Sequence, residues 1–257
     1  MTDAPLLDVD GVTLAFGGVR ALHDVSFDVR SGEVFAVIGP NGAGKTSIFN
    51  CLSAVYRPQN GSIMFDGHQL IGARPVQTAH WGVGRTFQNL GLFTTLDVVD
   101  NLMLGRHHLM HTGFGAAALW FGKSRNEEVH NRRRCEEVME LLNLGRYRST
   151  PVGALPYGIQ KRIELGRALA MDPKLLLLDE PVAGMNLEET EDMARYILEV
   201  RQRLGLAVIL VEHDMHMVMD IADRVLVLDF GEVISSGRPE DVQSDPRVIE
   251  AYLGTPT

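Results

Sequence analysis

The chain has 257 residues, 45% of them apolar and 22% charged, with 24 Lys and Arg against 33 Asp and Glu and a formal net charge of −9. That composition suits a soluble globular protein with a full core, and it argues against a nucleic-acid binder working by phosphate neutralisation. Two cysteines, Cys51 and Cys135, exclude a disulfide scaffold and a cysteine-based zinc module, and both are expected as buried small apolar residues in a reducing compartment.

In chain order, Leu7 to Leu14 alternates as a half-buried strand, and Val25, Phe27 and Val29 alternate again. Val34 to Ile38 is continuously apolar, as expected of a strand buried on both faces. Thr46 to Ala54 reads as a helix, and Ser62 to Phe65 as a strand entering a tight turn at Asp66-Gly67. A helix over Leu96 to Arg106 follows. Glu127 to Leu142 is an amphipathic helix with Glu128 and Arg132 one turn apart, and Gly158 to Met171 is another. No buried strand is legible between 90 and 175, so a helical subdomain is expected there. Strand–helix alternation then returns: strand Lys174–Asp179, helix Leu187–Leu204 with Met193, Ile197, Val200 and Leu204 on one face, strand Ala207–Val211, helix Met215–Ile221, strand Arg224–Asp229. Such alternation builds a parallel sheet. No apolar run approaches the roughly 20 residues of a membrane-spanning helix, and Asp3, Asp8 and Asp10 do not fit a secretory signal.

Gly39-Pro40-Asn41-Gly42-Ala43-Gly44-Lys45-Thr46 fits GxxxxGK[ST] at every fixed position, between a buried strand and a helix. The glycines let backbone N–H groups turn inward around a polyphosphate, and the helix N-terminus adds partial positive charge. Lys45 can reach the β- and γ-phosphates, and the Thr46 hydroxyl can ligate Mg²⁺. The four-leucine run Leu175 to Leu178 ends in Asp179-Glu180 at the carboxyl edge of a parallel sheet, where ligands sit. Asp179 there would hold Mg²⁺ through water, and Glu180 would polarise an attacking water.

With these motifs the sequence resembles, along essentially its whole length, the ATP-binding subunits of ABC transporters. Gln88 lies in "TFQN" before the helical stretch, like the Q-loop. Leu155-Pro156-Tyr157-Gly158-Ile159-Gln160-Lys161-Arg162 occupies the signature position. Ala183-Gly184-Met185-Asn186 follows Glu180 like the D-loop, and His213 in "LVEHD" is similar to the switch histidine. "LPYGIQKR", "EPVAGMN", "VEHDM", the closing "DPRVIEAYLG" and the long 105–126 segment are similar to the larger ATPase subunit of branched-chain amino acid importers. Pro156, Tyr157 and Ile159 depart from the usual serine, glycine and glutamine of the signature, and Asn186 from the D-loop aspartate.

The resemblance implies a P-loop NTPase core with a parallel sheet, an N-terminal antiparallel β subdomain and a helical signature subdomain at about 90–172. Together these form one ABC ATPase domain over 1–257. It implies Phe16 stacking on adenine, against the alternative of a core phenylalanine. The loop from Gly39 to Thr46, with Ser47, would hold the nucleotide. Thr46, Gln88 and Asp179 would hold Mg²⁺, and Gln88 would also report nucleotide state to the membrane partner. Glu180 and His213 would be catalytic, and Leu155, Tyr157, Gly158 and Asn186 would meet the nucleotide of an opposite subunit. The implied activity is ATP hydrolysis driving import. The implied partners are membrane permeases, a second ABC ATPase subunit and an extracytoplasmic binding protein, and the implied place is the cytoplasmic membrane face, without nucleic acid. The alternative is a soluble ABC ATPase such as that of iron–sulfur cluster assembly. A P-loop kinase is disfavoured by Gln88, the 155–162 segment and His213, and a DNA-repair ATPase by the absence of long coiled coils or zinc modules.

Two further features stand apart from these motifs. His107, His108 and His111 form an HHxxH cluster, expected as a solvated stretch because no Cys, Asp or Glu nearby completes a tetrahedral site. Gly113 to Phe121 is apolar and carries Trp120, consistent equally with a partner surface and with local packing.

Overall fold

The computed structural model describes residues 4–86, 91–109 and 123–253. The chain divides into two compact units, Met1–Arg85 with Lys174–Thr257, and Thr86–Pro173.

The first unit holds both sheets. Strands β1 (Leu7–Phe16), β2 (Val19–Val29), β4 (Asn60–Phe65) and β5 (His68–Gln69) form an antiparallel sheet in the order β2-β1-β4-β5. Asp66 and Gly67 both take positive φ, 46° and 78°, as a two-residue hairpin between β4 and β5 requires. The second sheet has the order β10-β9-β3-β8-β7-β6, from β3 (Val34–Ile38), β6 (Val83–Arg85), β7 (Leu175–Asp179), β8 (Ala207–Val211), β9 (Arg224–Asp229) and β10 (Glu232–Gly237). Five of these strands run parallel, and β10 closes one edge as an antiparallel hairpin with β9. Every residue of β3, β7 and β8 is buried, which is why these strands read as unbroken apolar runs. Helix α1 (Lys45–Leu52) buries Ile48, Phe49, Cys51 and Leu52 in one core shared with Val9, Leu22, Val37, Phe65, Leu177 and Ile209.

The rest of this unit follows local rules with one correction. Helix α6 (Leu187–Leu204; α2 to α5 are placed below) opens on a capping box between Asn186 and Glu189 and stops at Gly205 in the left-handed region, φ 64°. Met193, Ile197 and Val200 are buried as the pattern requires, but Leu204 is exposed, because it lies in the last turn beside the terminating glycine. Helices α2 (Pro75–Trp81), α7 (Met215–Ile221), α8 (Pro239–Gln243) and α9 (Pro246–Leu253) complete it. Proline opens the first turn of α2 and of α8, where its missing N–H costs nothing.

The second unit is helical. Helix α3 (Val98–Gly105) is capped by the Asp97 side chain, which accepts from the Asp100 amide. Helices α4 (Lys123–Leu141) and α5 (Tyr157–Leu169) pack with it around Leu102, Cys135, Val138, Leu142 and Ile163. The close approach of α3 and α5 depends on Gly105, where an added Cβ would lie 2.3 Å from the Arg167 carbonyl oxygen. Buried Arg106 donates to Asn131, to the Ala170 carbonyl and to Asp172 and so ties three segments together. Cys51 and Cys135 are both free and buried, and burial pushes their thiols up to about 12 and about 11. Among the described residues, no helix is long and apolar enough to cross a membrane.

Candidate functional site

The phosphate loop lies between the buried end of β3 and α1, and backbone geometry dictates its glycines. Gly39 has φ 149°, and a Cβ there would meet the Leu228 carbonyl oxygen at 2.0 Å. Gly44 has φ 106°, and a Cβ would meet the Ala21 carbonyl oxygen at 2.7 Å. Any side chain at either place collides with fixed backbone. Lys45, buried, folds back so that its ammonium donates to the carbonyls of Gly39 (2.6 Å) and Pro40 (2.9 Å). Burial lowers its pKa, while the charges of Glu180 and Asp179 act in the opposite direction. A polyphosphate entering the loop offers this cation better acceptors than two carbonyls.

Register brings the acidic residues to the same edge. Leu178 and Asp179 of β7 pair with Leu210 and Val211 of β8, and Val37 of β3 pairs with Val211, so β3, β7 and β8 end together. The Glu180 amide continues the ladder by donating to the Val211 carbonyl, 2.9 Å. Glu180 then leaves the strand with φ 50°, an uncommon conformation for a non-glycine residue and one found where function fixes the backbone. His213 follows β8 by two residues, and its Nε2 donates to Glu180 Oε1 at 2.9 Å. Thr46 and Asp179 supply only hydroxyl and carboxylate oxygen. Those donors suit Mg²⁺, which takes oxygen ligands and keeps waters and phosphate oxygens in its shell.

Phe16 ends β1, 48% exposed and edge-on to Tyr56 with ring centroids 5.0 Å apart. It is not a core phenylalanine, and its ring is open to a planar ligand. Asn186 caps α6, accepting from the Glu189 amide at 3.0 Å. In the helical unit, Pro156 occupies the N-cap of α5, with φ −55° and ψ 152°. The helix begins at Tyr157, one residue before the expected start at Gly158. The amides of Ile159 and Gln160 close back onto the Pro156 carbonyl, both at 3.0 Å, and the Gln160 side chain donates to Leu155 O at 2.8 Å. Gly158 is buried in that first turn and Tyr157 is half-exposed. Gln88, His111 and the Gly113–Phe121 stretch lie outside the described residues. His107 is exposed in a 3₁₀ turn, and among the described residues no three His, Cys, Asp or Glu gather to hold a metal.

Three residues at this edge escaped the sequence reading. Buried Glu212 accepts from the amides of Val182 (2.9 Å) and His213 (3.0 Å), so one carboxylate ties the segment after Glu180 to the segment carrying His213. Burial raises its pKa, and its backbone hydrogen bonds partly offset that. Burial raises the pKa of Tyr252 on α9, and the backbone amide of Gly39 beside it acts in the opposite direction. Arg85, the last residue of β6, reaches Asp179. The only sequence signals were adjacency: Glu212 to His213, and Arg85 to "TFQN".

A P-loop with a buried lysine, and an acidic pair and a histidine at the same sheet edge, define a nucleotide-binding cassette of the ABC type. The ABC transporter family model matches residues 22–183, and that of the branched-chain amino acid ATP-binding cassette transporter matches residues 232–256. The branched-chain amino acid transport ATP-binding protein BraF of Pseudomonas aeruginosa is 39% identical over 97% of this chain and 98% of its own. LivG of Escherichia coli is 38% identical over the same shares. Among solved structures, a nucleotide-free ATP-binding cassette from an ABC transporter superposes with TM-score 0.85 at 29% identity, covering 98% of this chain and 100% of that one. The chain therefore belongs to the ATP-binding proteins of ABC transporters, in the branched-chain amino acid group that includes LivG and BraF.

Proposed function

We infer that this chain is the ATP-hydrolysing subunit that energises branched-chain amino acid import through separate permease subunits. Full-length identity of 38–39% to LivG and BraF carries this reading over a non-transport ABC ATPase. Their names describe high-affinity branched-chain amino acid transport.

Phe16 stacks on the adenine, and the loop Gly39 to Thr46, with Ser47, wraps the phosphates. Lys45 exchanges its two carbonyl partners for phosphate oxygens. Thr46, Asp179 and Gln88 would hold Mg²⁺, which when bound would supply positive charge against the phosphates. Glu180 takes the proton of the attacking water, and His213, already hydrogen-bonded to Glu180, orients that water against the γ-phosphate. Glu212 keeps the two segments in register. Leu155, Tyr157, Gly158 and Asn186 face the nucleotide of an opposing ABC subunit, so ATP is enclosed only when two subunits close. The protein works on the cytoplasmic face of the membrane, bound to permeases and served by an extracytoplasmic binding protein.

The test is uptake of labelled leucine by cells lacking the chromosomal copy. The wild-type chain should restore uptake. Glu180→Gln, nearly isosteric but unable to take the proton, should bind ATP normally and restore nothing. Normal uptake with Glu180→Gln would remove Glu180 from catalysis.

A further inference from the structure

We propose that Arg85 is a positioning residue for the Asp179 carboxylate, holding it with the same guanidinium that anchors the far end of the P-loop helix. The proposal rests on the reading of Asp179 as a Mg²⁺ ligand.

The register puts the two side chains together. Arg85 is paired with Leu177 in the parallel β6·β7 ladder, and Asp179 lies two residues beyond Leu177. Side chains alternate along a strand, so Arg85, Leu177 and Asp179 share the face covered by α1. Arg85 Nη2 donates to Asp179 Oδ2 at 3.1 Å; the Asp179 side chain is buried, 3% exposed, and that of Arg85 is largely covered, 11% exposed.

The other side of the fork grips α1. Arg85 Nη1 donates to Asn50 Oδ1 (2.7 Å), to Ser53 Oγ (2.8 Å) and to the Phe49 carbonyl (3.4 Å), while the guanidinium lies 5.8 Å from the centre of the Phe49 ring. Ser53 is the C-cap of α1. The carbonyl end of a helix carries partial negative charge and favours a cation there. One residue therefore links the helix whose N-terminus cradles phosphate to the carboxylate that meets the metal. It is also the residue from which the chain leaves the first unit toward Gln88.

A guanidinium can do this and an ammonium cannot. Two nitrogens point to two different elements in a fixed plane, whereas a lysine places one charge at one point. Without Arg85, Asp179 is a buried carboxylate without that partner and is free to turn away from the metal.

The experiment compares binding of a fluorescent ATP analogue to the full chain with and without Mg²⁺. Arg85→Gln should bind the metal-free analogue as the wild type does. Its Mg²⁺-dependent gain in affinity should fall by about tenfold, the low end for losing a residue that orients a metal ligand. Arg85→Lys should lose most of the same gain. Equal weakening with and without Mg²⁺ would make Arg85 a structural residue only, and a stronger Mg²⁺ effect in Arg85→Gln would mean its charge merely competes with the metal. Either result overturns the proposal, as does wild-type behaviour of Arg85→Lys. Where Arg85→Gln does not fold, Asn50→Ala and Ser53→Ala loosen only the helix side of the grip. They should weaken the Mg²⁺ effect in the same direction, and an unchanged effect in both overturns the proposal. Asp179→Asn separates the two readings. If it keeps the full Mg²⁺ effect, Asp179 is not a metal ligand. If it loses the effect while Arg85→Gln retains it, Asp179 stands and Arg85 alone fails.

Discussion

Lys45 shows how much a single side chain can announce. Its place after Gly44 fixed its direction, since the first residue of a helix following a phosphate loop has its side chain at the loop's mouth. Its ammonium lies on the Gly39 and Pro40 carbonyls, the position a phosphate would take over. Lys45→Ala should leave the fold intact and lower ATP affinity by at least about tenfold, because a hydrogen bond to a charged group contributes about 1.5–3 kcal/mol. Equilibrium titration with ATP checks this, and unchanged affinity would remove Lys45 from the site. Phe16 was legible only through resemblance, and the structure adds what the sequence lacked: its exposure and the Tyr56 edge beneath it. Arg85 and Glu212 were not legible. Their partners come from α1, β7 and the turn after Glu180, and no local pattern encodes a meeting of three separate elements.

At the scale of elements, helix α5 is the informative case. Amphipathic spacing places it at Gly158–Met171, and in the structure it starts one residue earlier, at Tyr157. The structure places Pro156 at the N-cap, where it has no side chain to accept from the helix amides, and Gln160 folds back to Leu155 instead. Gly158 is left in the first turn with a bare backbone at the positive end of the helix. Gly158→Asp should put a carboxylate against the γ-phosphate of the opposing subunit and abolish hydrolysis, while ATP binding at the P-loop of the same chain survives. Pro156→Ser should be tolerated, since serine is a favoured N-cap. ATPase assays with the permeases present decide this: a fully active Gly158→Asp protein would mean that residues 155–162 only begin a helix. No element is legible in the sequence at β5, α2, β6, β10, α8 or α9. The two residues of β5 and three of β6 give no periodicity, and β6 carries Gly84 and Arg85, which resemble loop residues until Leu175 to Leu177 pair with them.

At the scale of the whole molecule, the loop Gly39 to Thr46 and the segment 155–162 lie in two different compact units. The site is read as complete only with an opposing subunit, and the natural partner is expected to be a related but different ABC ATPase. Isolated Glu180→Gln protein with ATP and Mg²⁺ should therefore show weak association or none by light scattering. A tight homodimer would show that the chain closes on itself.

By itself the sequence determined the fold class, the phosphate loop, the acidic strand end and the order of motifs, because each is written in contiguous residues with a fixed period or spacing. Val34 to Ile38 and Leu175 to Leu178 are short, continuously apolar runs that suit strands buried on both faces, and the glycine loop and the Asp179-Glu180 pair that follow them suit a ligand edge. Only the tertiary structure decided that β10 closes the parallel sheet as an antiparallel edge, that Glu180 leaves its strand with a positive φ beside His213, and that Arg85 joins α1 to Asp179. These depend on strand order and on side chains meeting across elements distant in sequence, and residue pattern along one element carries no record of what will be packed against it.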